Sequence, residues 1–92
     1  MIAAPIPEEA KTFYDEQGLL KAWPAKGREK VREHVLQWLL SHFSSDEVLS
    51  EKQVSQRLCA LHTFNDPASL RREIIVRGLM VRSRDCREYR RA

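Results

Sequence analysis

SEKQVSQRLCALHTFNDPASLRREIIVRG, residues 50–78, is the stretch that decides the fold of this chain. Ser50 precedes a helical pattern, and Gln53 lies three residues after Ser50, which is the spacing of a capping box. Asp66 followed by Pro67 predicts the start of a second helix, because the Asp side chain caps free N–H groups and proline needs no N–H at the first helical position. The stretch therefore predicts two short helices in succession.

A short polar turn, His62-Thr63-Phe64-Asn65, separates the two predicted helices. His62 is expected to form hydrogen bonds within this turn, and Phe64 to fill the crevice between the helices. Gly78 predicts the end of the second helix, because glycine readily adopts the left-handed backbone found there. Two short helices joined in this way predict a helix-turn-helix.

Upstream, the pattern predicts a long helix from about Ala25 or Gly27 to Phe43. Its apolar residues recur at helical spacing and form one wide arc. The arc consists of Val31, Val35, Leu36, Trp38, Leu39, Leu40, His42 and Phe43. Such a wide arc predicts contacts on two sides, one with the helix-turn-helix and the other with the N-terminal segment or a second subunit.

The N-terminal part is predicted to form a separate extension. Pro7 with two acidic residues behind it predicts a helix start, and Gly18 predicts the end of that helix. Leu19 to Trp23 is expected to be extended, because Pro24 disfavours helical geometry in the residue before it. We therefore predict that residues 1–24 pack on a core domain spanning residues 25–92.

After Gly78 the apolar period changes to two, which predicts a C-terminal β-hairpin. Its strands are expected at 79–82 and 87–90, with a turn at 83–86 and a short additional strand near Val48. The predicted fold class is mainly α (α+β): a winged helix-turn-helix with a C-terminal hairpin wing and an N-terminal helical extension. The predicted core consists of Val35, Leu39, Val54, Leu58, Leu70, Ile74 and Leu79.

Charge is distributed unevenly along the 92 residues, whose net charge is +3. Residues 71–92 hold eight arginines against three acidic residues, whereas residues 1–70 have a net charge of −2. Arginine is suited to bidentate contacts with phosphates and base edges. The arginine-rich end therefore indicates nucleic-acid binding, with a solvated tail as the alternative interpretation.

Other function classes find little support in the sequence. No apolar run is long enough to span a membrane and no signal peptide is evident, so we expect a cytoplasmic protein without membrane contact. His34 and His42 lie about 12 Å apart on one predicted helix, too far for one metal ion. Cys59 is expected in the core and Cys86 at the surface of the wing. No phosphate loop or catalytic motif is present, so we expect neither enzymatic activity nor a cofactor nor a metal.

Several segments resemble a bacterial family, the domain of unknown function 2087. They are LLKAWPAKGREK from Leu19, EKQVSQRL from Glu51, HTFNDPASLRREIIVRGLMVR from His62, and the terminal Asp85, Arg87 and Tyr89. The resemblance implies a winged-helix-like domain of bacterial transcription regulators, sometimes fused to a separate DNA-binding domain. Where the family usually has Asp-Gly at the hairpin turn, this chain has Cys86 after Asp85. A left-handed backbone at that position would strain a cysteine.

Two functional hypotheses remain open. In the first, the chain is a transcription regulator or accessory domain that binds DNA through Ser69, Arg72, Arg82, Arg84 and Arg87. In the second, it is a dimerisation or partner-docking domain that does not bind DNA directly. Arg71 is expected to point inward and to pair with Asp66 or Asp85, whereas Glu73 would repel phosphate unless it accepts a hydrogen bond from a cytosine.

Overall fold

The fold is mainly helical in a computed structural model that describes residues 6–92. Its described part contains four helices and a two-stranded antiparallel hairpin. The elements are a 3₁₀ helix at Glu8–Phe13, α1 at Glu29–Leu40, α2 at Glu51–Cys59, α3 at Pro67–Val76, β1 at Met80–Arg82 and β2 at Tyr89–Arg91.

Both predicted caps of the helix-turn-helix are confirmed. The Ser50 hydroxyl accepts from the Gln53 N–H, and the Gln53 side chain accepts from the Ser50 N–H, which completes the capping box. The Asp66 carboxylate accepts from the Ser69 N–H at 3.2 Å, with Pro67 at the first helical position. Gly78 ends α3 with a φ of 71°. Because these signals are local, they fix both helix boundaries.

His62 holds the turn between α2 and α3. Its Nε2 accepts from the Asp66 N–H at 2.9 Å, so its Nδ1 carries the proton and donates to the Leu58 carbonyl oxygen at 2.5 Å. The ring is buried and meets the partly buried Phe64 edge to face. The predicted role of His62 within the turn is therefore confirmed.

Helix α1 is shorter than predicted at both ends. Gly27 has a φ of 93°, which is incompatible with a helix, and the first helical residue is Glu29. Six residues of α1 are buried: Val31, Val35, Leu36, Trp38, Leu39 and Leu40. The wide apolar arc thus lies in the core, together with Val54 and Leu58 of α2 and Leu70 and Ile74 of α3.

The segment before α1 contacts the helix-turn-helix through its backbone. The Leu20 N–H donates to the Leu61 carbonyl at 2.9 Å, and the Thr63 N–H donates to the Leu20 carbonyl at 2.9 Å. Tyr14 packs edge to face on Trp38 of α1, with ring centroids 4.8 Å apart. Leu20 is fully buried by these contacts.

The hairpin departs from the prediction in its alternation. The inward residue is Met80, which is buried, whereas the predicted core residue Leu79 is only partly buried. The additional strand near Val48 is reduced to one bridge, in which Leu49 and Tyr89 exchange backbone hydrogen bonds of 2.7 and 2.9 Å.

Cys59, the last residue of α2, is exposed, so its predicted core position is wrong.

An ion pair joins α2 to the turn that follows α1. The Arg57 guanidinium donates to both Glu47 carboxylate oxygens, at 2.6 and 3.0 Å, and lies over the Phe43 ring. The hydrogen bond from Arg57, followed by that from the Ser44 N–H, lowers the pKa of the Glu47 carboxyl from 4.5 to about 2. A carboxyl whose pKa falls on folding stabilises the fold at any pH above its unfolded value.

We therefore expect the thermal unfolding midpoint to fall as the pH drops from about 4.5 towards about 2. Glu47→Gln should make this fall shallower, because one of the groups that must be protonated has been removed. Thermal denaturation followed by circular dichroism across this range measures the effect. Glu16→Gln, at an exposed side chain, should keep the wild-type profile. An unchanged profile in Glu47→Gln would contradict the assigned role of the Arg57 pair.

Candidate nucleic-acid interface

Helix α3 has one buried and one exposed side. Leu70 and Ile74 are buried against the core, whereas Ser69, Arg72 and Val76 are exposed. Positions 69, 72 and 76 recur at spacings of three and four, so they form one row along the helix. This row presents a hydroxyl, a guanidinium and an apolar side chain to solvent.

Among the three arginines of α3 and its C-cap, only Arg72 forms no ion pair with a described residue. Arg71 pairs with Glu51 at 3.0 Å and donates to the Ser55 hydroxyl, which ties α3 to α2. Its predicted structural role is confirmed, but its predicted partners, Asp66 and Asp85, are wrong. Arg77 bonds to Glu73 at 3.0 Å and to Glu29 at 3.1 Å.

Arg72 and Arg82 line the same groove, of about 410 Å³, which runs between α3 and the hairpin. The other lining residues are Ala68, Arg71, Ile75 and Val76. Arg82 lies opposite Tyr89 in the strand register, on the hairpin face that is turned to the helices. We call this site the basic groove. It holds two guanidinium groups, those of Arg72 and Arg82, that form no ion pair within residues 6–92.

The hairpin loop has its own hydrogen-bond framework. The Ser83 hydroxyl donates to the Asp85 carboxylate at 2.5 Å, and the Arg87 N–H donates to the same oxygen at 3.1 Å. The bond from Ser83, followed by that from the Arg87 N–H, lowers the pKa of the Asp85 carboxyl. Arg84 and Arg87 are both exposed on this ordered loop. The Arg87 guanidinium makes one ionic contact with a described residue, a long one of 3.7 Å to the Asp85 carboxylate.

All five residues predicted as the DNA-binding set, namely Ser69, Arg72, Arg82, Arg84 and Arg87, are exposed. The basic groove brings Arg72 and Arg82 together, and Arg84 and Arg87 lie in the loop that continues β1. Ser69 lines a second groove, together with Arg72 and Val76 of the same row and with Trp23 and Phe64. The set omitted Trp23, which lines the second groove from the segment before α1, distant in the sequence from α3 and the hairpin.

Within residues 6–92, no three His, Cys, Asp or Glu side chains lie close enough together to hold a metal ion. None of the helices described is long and apolar enough to cross a bilayer.

Comparison with protein families gives a match over most of the chain. Residues 19–91 match the family described as an uncharacterized protein conserved in bacteria (DUF2087). The chain belongs to the DUF2087 family. No curated protein and no solved structure matches it.

In this DUF2087 member, the motif H-x-F-x-D-x-x-x-L-R-R-E mainly builds the fold. His62 holds the turn, Asp66 caps α3, and Leu70 lies in the core. The first arginine of the motif pairs with α2, and its glutamate pairs with Arg77. Of the two arginines in the motif, the second, Arg72, is exposed and has no ionic partner among the described residues.

Cys86, which follows Asp85 in the hairpin turn, has a φ of 61°. A left-handed backbone costs a residue with a Cβ roughly 1–2 kcal/mol, a cost that glycine avoids. Cys86→Gly is therefore expected to raise the free energy of unfolding by about 1 kcal/mol, measured by urea denaturation. Cys59→Gly, in α2, should instead destabilise the fold, because glycine is unfavourable in a helix. A lower stability in Cys86→Gly would contradict the strain at the turn.

Proposed function

We propose that this protein is a winged helix-turn-helix domain that binds DNA and acts in transcription regulation. The order of elements supports the winged-helix interpretation: α1, the Leu49 bridge, α2, α3, and then a hairpin whose second strand pairs with Leu49. In this arrangement α3 is the recognition helix and the β1–β2 hairpin is the wing.

One observation carries the proposal: Arg72 of α3 and Arg82 of the hairpin share a groove and form no ion pair within the described residues. Buried or paired arginines cannot bind phosphate without losing their partners, as would happen at Arg71 and Arg77. Unpaired guanidinium groups can neutralise phosphates and release counterions, which supplies most of the affinity of proteins for DNA. Arg72 and Arg82 have such unpaired guanidinium groups, and both line the basic groove.

The exposed row of α3 fits the major groove. Arg72 can donate two hydrogen bonds to guanine O6 and N7, and the Ser69 hydroxyl can bond to a base edge or a phosphate. Glu73, the residue expected to repel phosphate, is half-buried and bonded to Arg77, so its charge is largely compensated. Glu73 would therefore repel the DNA phosphates only weakly if α3 were the recognition helix.

The hairpin loop would contact the backbone or the minor groove. Arg84 and Arg87 extend from a loop that the Ser83–Asp85 hydrogen bonds already order. Ordering before binding lowers the entropy lost when the loop meets DNA. The hairpin arginines would therefore supply affinity, and Arg72 would supply sequence preference.

The proposal is tested by titrating labelled duplexes with the wild type and with Arg72→Gln. We expect Arg72→Gln to lose about 1–3 kcal/mol of discrimination at one base pair, because one bidentate contact disappears. Lys30→Gln removes the same charge from an exposed position of α1 that lines none of the grooves, and should keep the preference. Equal preferences in the two variants would remove α3 from the interface and favour the protein-interaction hypothesis.

A further inference from the structure

The side of the hairpin that faces away from the helices carries two exposed valines. Val81 lies opposite Arg90 in the strand register. Glu88 precedes Arg90 by two residues, so its side chain lies on the same face. Because Leu49 pairs with Tyr89 in antiparallel fashion, its neighbour Val48 falls opposite Arg90 from the other side. We call this surface, formed by Val48, Val81, Ser83, Glu88 and Arg90, the outer hairpin face.

Three large hydrophobic residues are exposed in the part of the chain described, and two of them lie on the outer hairpin face. Val48 is 56% exposed and Val81 is 42% exposed. Both line one concave site together with Arg82, Ser83, Glu88 and Arg90, and Arg90 lies between the two valines. Exposed apolar side chains that share one site rimmed by polar ones mark an interaction surface.

The charges beside the valines are complementary to each other. Glu88 and Arg90 are both exposed, and neither forms an ion pair within residues 6–92. They share one face but are offset along β2, with the valines beside them. If a second copy is placed face to face about a twofold axis, Glu88 of each copy lies opposite Arg90 of the other. Such an isologous contact uses the same patch twice and satisfies both charges.

We propose that the outer hairpin face binds a second copy of this chain through two reciprocal Glu88–Arg90 pairs, with Val48 and Val81 on either side of them. The valines remove apolar surface from water, and the ionic pairs fix the register of the two copies. DNA is a poorer occupant of this face than of the basic groove, because Glu88 repels phosphate and the valines offer it no hydrogen bond. The proposal does not rest on DNA binding, since Arg82 is the one residue that lines both this site and the basic groove.

The test is sedimentation equilibrium of the full chain without DNA. The patch is small, so association is expected between about 10 µM and about 1 mM. Glu88→Arg and Arg90→Glu should each weaken self-association by roughly tenfold or more, because like charges then face each other twice. Val81→Lys should also weaken it, whereas Gln37→Lys, at an exposed position of α1 that lines none of the grooves, should not.

Mixing the two charge-reversal variants gives the decisive result. In a mixed dimer the reversed side chain at position 88 of one copy faces the reversed side chain at position 90 of the other. This ionic pair is restored with opposite polarity, and the second pair, between the unchanged Arg90 of the first copy and the unchanged Glu88 of the other, keeps its wild-type polarity. The mixture is therefore expected to associate as the wild type does, although each variant alone does not.

A wild type that stays monomeric at about 1 mM would overturn the proposal, as would variants that associate unchanged or a mixture that fails to recover. Circular dichroism of each variant establishes that it is folded. DNA affinity, measured on the same samples at low protein concentration, reports on the proposed function separately. Loss of DNA binding with dimerisation intact, or the reverse, would contradict only one of the two proposals.

Discussion

Replacing Ile74 by alanine is expected to lower the free energy of unfolding by about 2–5 kcal/mol. Ile74 is 1% exposed on the buried side of α3, where that helix packs against α2. Truncation removes apolar contacts and leaves a cavity that the rigid surroundings fill only in part. Leu58→Ala, at a fully buried position of α2, should cost a similar amount.

Val76 provides the matched control on the same helix. It is 74% exposed, so Val76→Ala removes little buried surface and should change stability by less than about 0.5 kcal/mol. Urea denaturation at constant pH gives all three values. If Ile74→Ala and Val76→Ala had equal effects, the assignment of the buried and exposed sides of α3 would be wrong.

Neutralising Arg82, Arg84 and Arg87 together is expected to have the largest effect on function. In a triple variant with Gln at positions 82, 84 and 87, the slope of log affinity against log salt should fall by about three units. At about 0.1 M salt each lost phosphate contact lowers the affinity roughly tenfold, giving about a thousandfold in total. Fluorescence anisotropy with a labelled duplex at several salt concentrations measures both quantities.

A second triple variant tests whether DNA affinity depends on the arginines of the hairpin or only on the net charge of the protein. Lys21, Lys26 and Lys30 are exposed, form no ion pair with a described residue and line none of the grooves. Replacing all three by Gln removes the same total charge, and we expect a much smaller loss of affinity. If both triple variants weakened binding equally, DNA would respond to overall charge and the hairpin would have no special role.

The helix boundaries around the turn could be predicted because their signals are local. Ser50 with Gln53, and Asp66 with Pro67, each satisfy backbone groups within one turn of the chain. The partner of Arg71 could not be predicted in this way. Glu51 lies twenty positions earlier, and only the packing of α2 on α3 brings the two side chains together.

Other errors have equally specific causes. The alternation of Leu79 and Met80 was misassigned because β1 has only three residues, too few for a period of two to identify the inward side. Cys59 was placed in the core for its residue type. Its position about 100° from Leu58 on α2 turns it away from the core, which the helical period alone would have indicated.

The four arginines of the candidate DNA-binding set were predicted from charge, and the structure adds which arginines are already engaged. Of the eight arginines in residues 71–92, Arg71 and Arg77 are held by acidic side chains, and Arg91 donates to the Phe43 carbonyl at 3.1 Å. Arg90, outside the predicted set, lies on the outer hairpin face. Sequence alone could not divide these arginines between two faces of one hairpin.

The most direct test of the proposed function is to map the DNA-contacting surface by ¹H–¹⁵N NMR while a short duplex is added. We expect the amide signals of Ser69, Arg72 and Val76, and those of 82–87, to shift together. Signals from Lys26 to Lys30 should remain in place. Shifts confined to α1 and the N-terminal segment, with α3 and the hairpin loop unchanged, would contradict DNA binding through the basic groove.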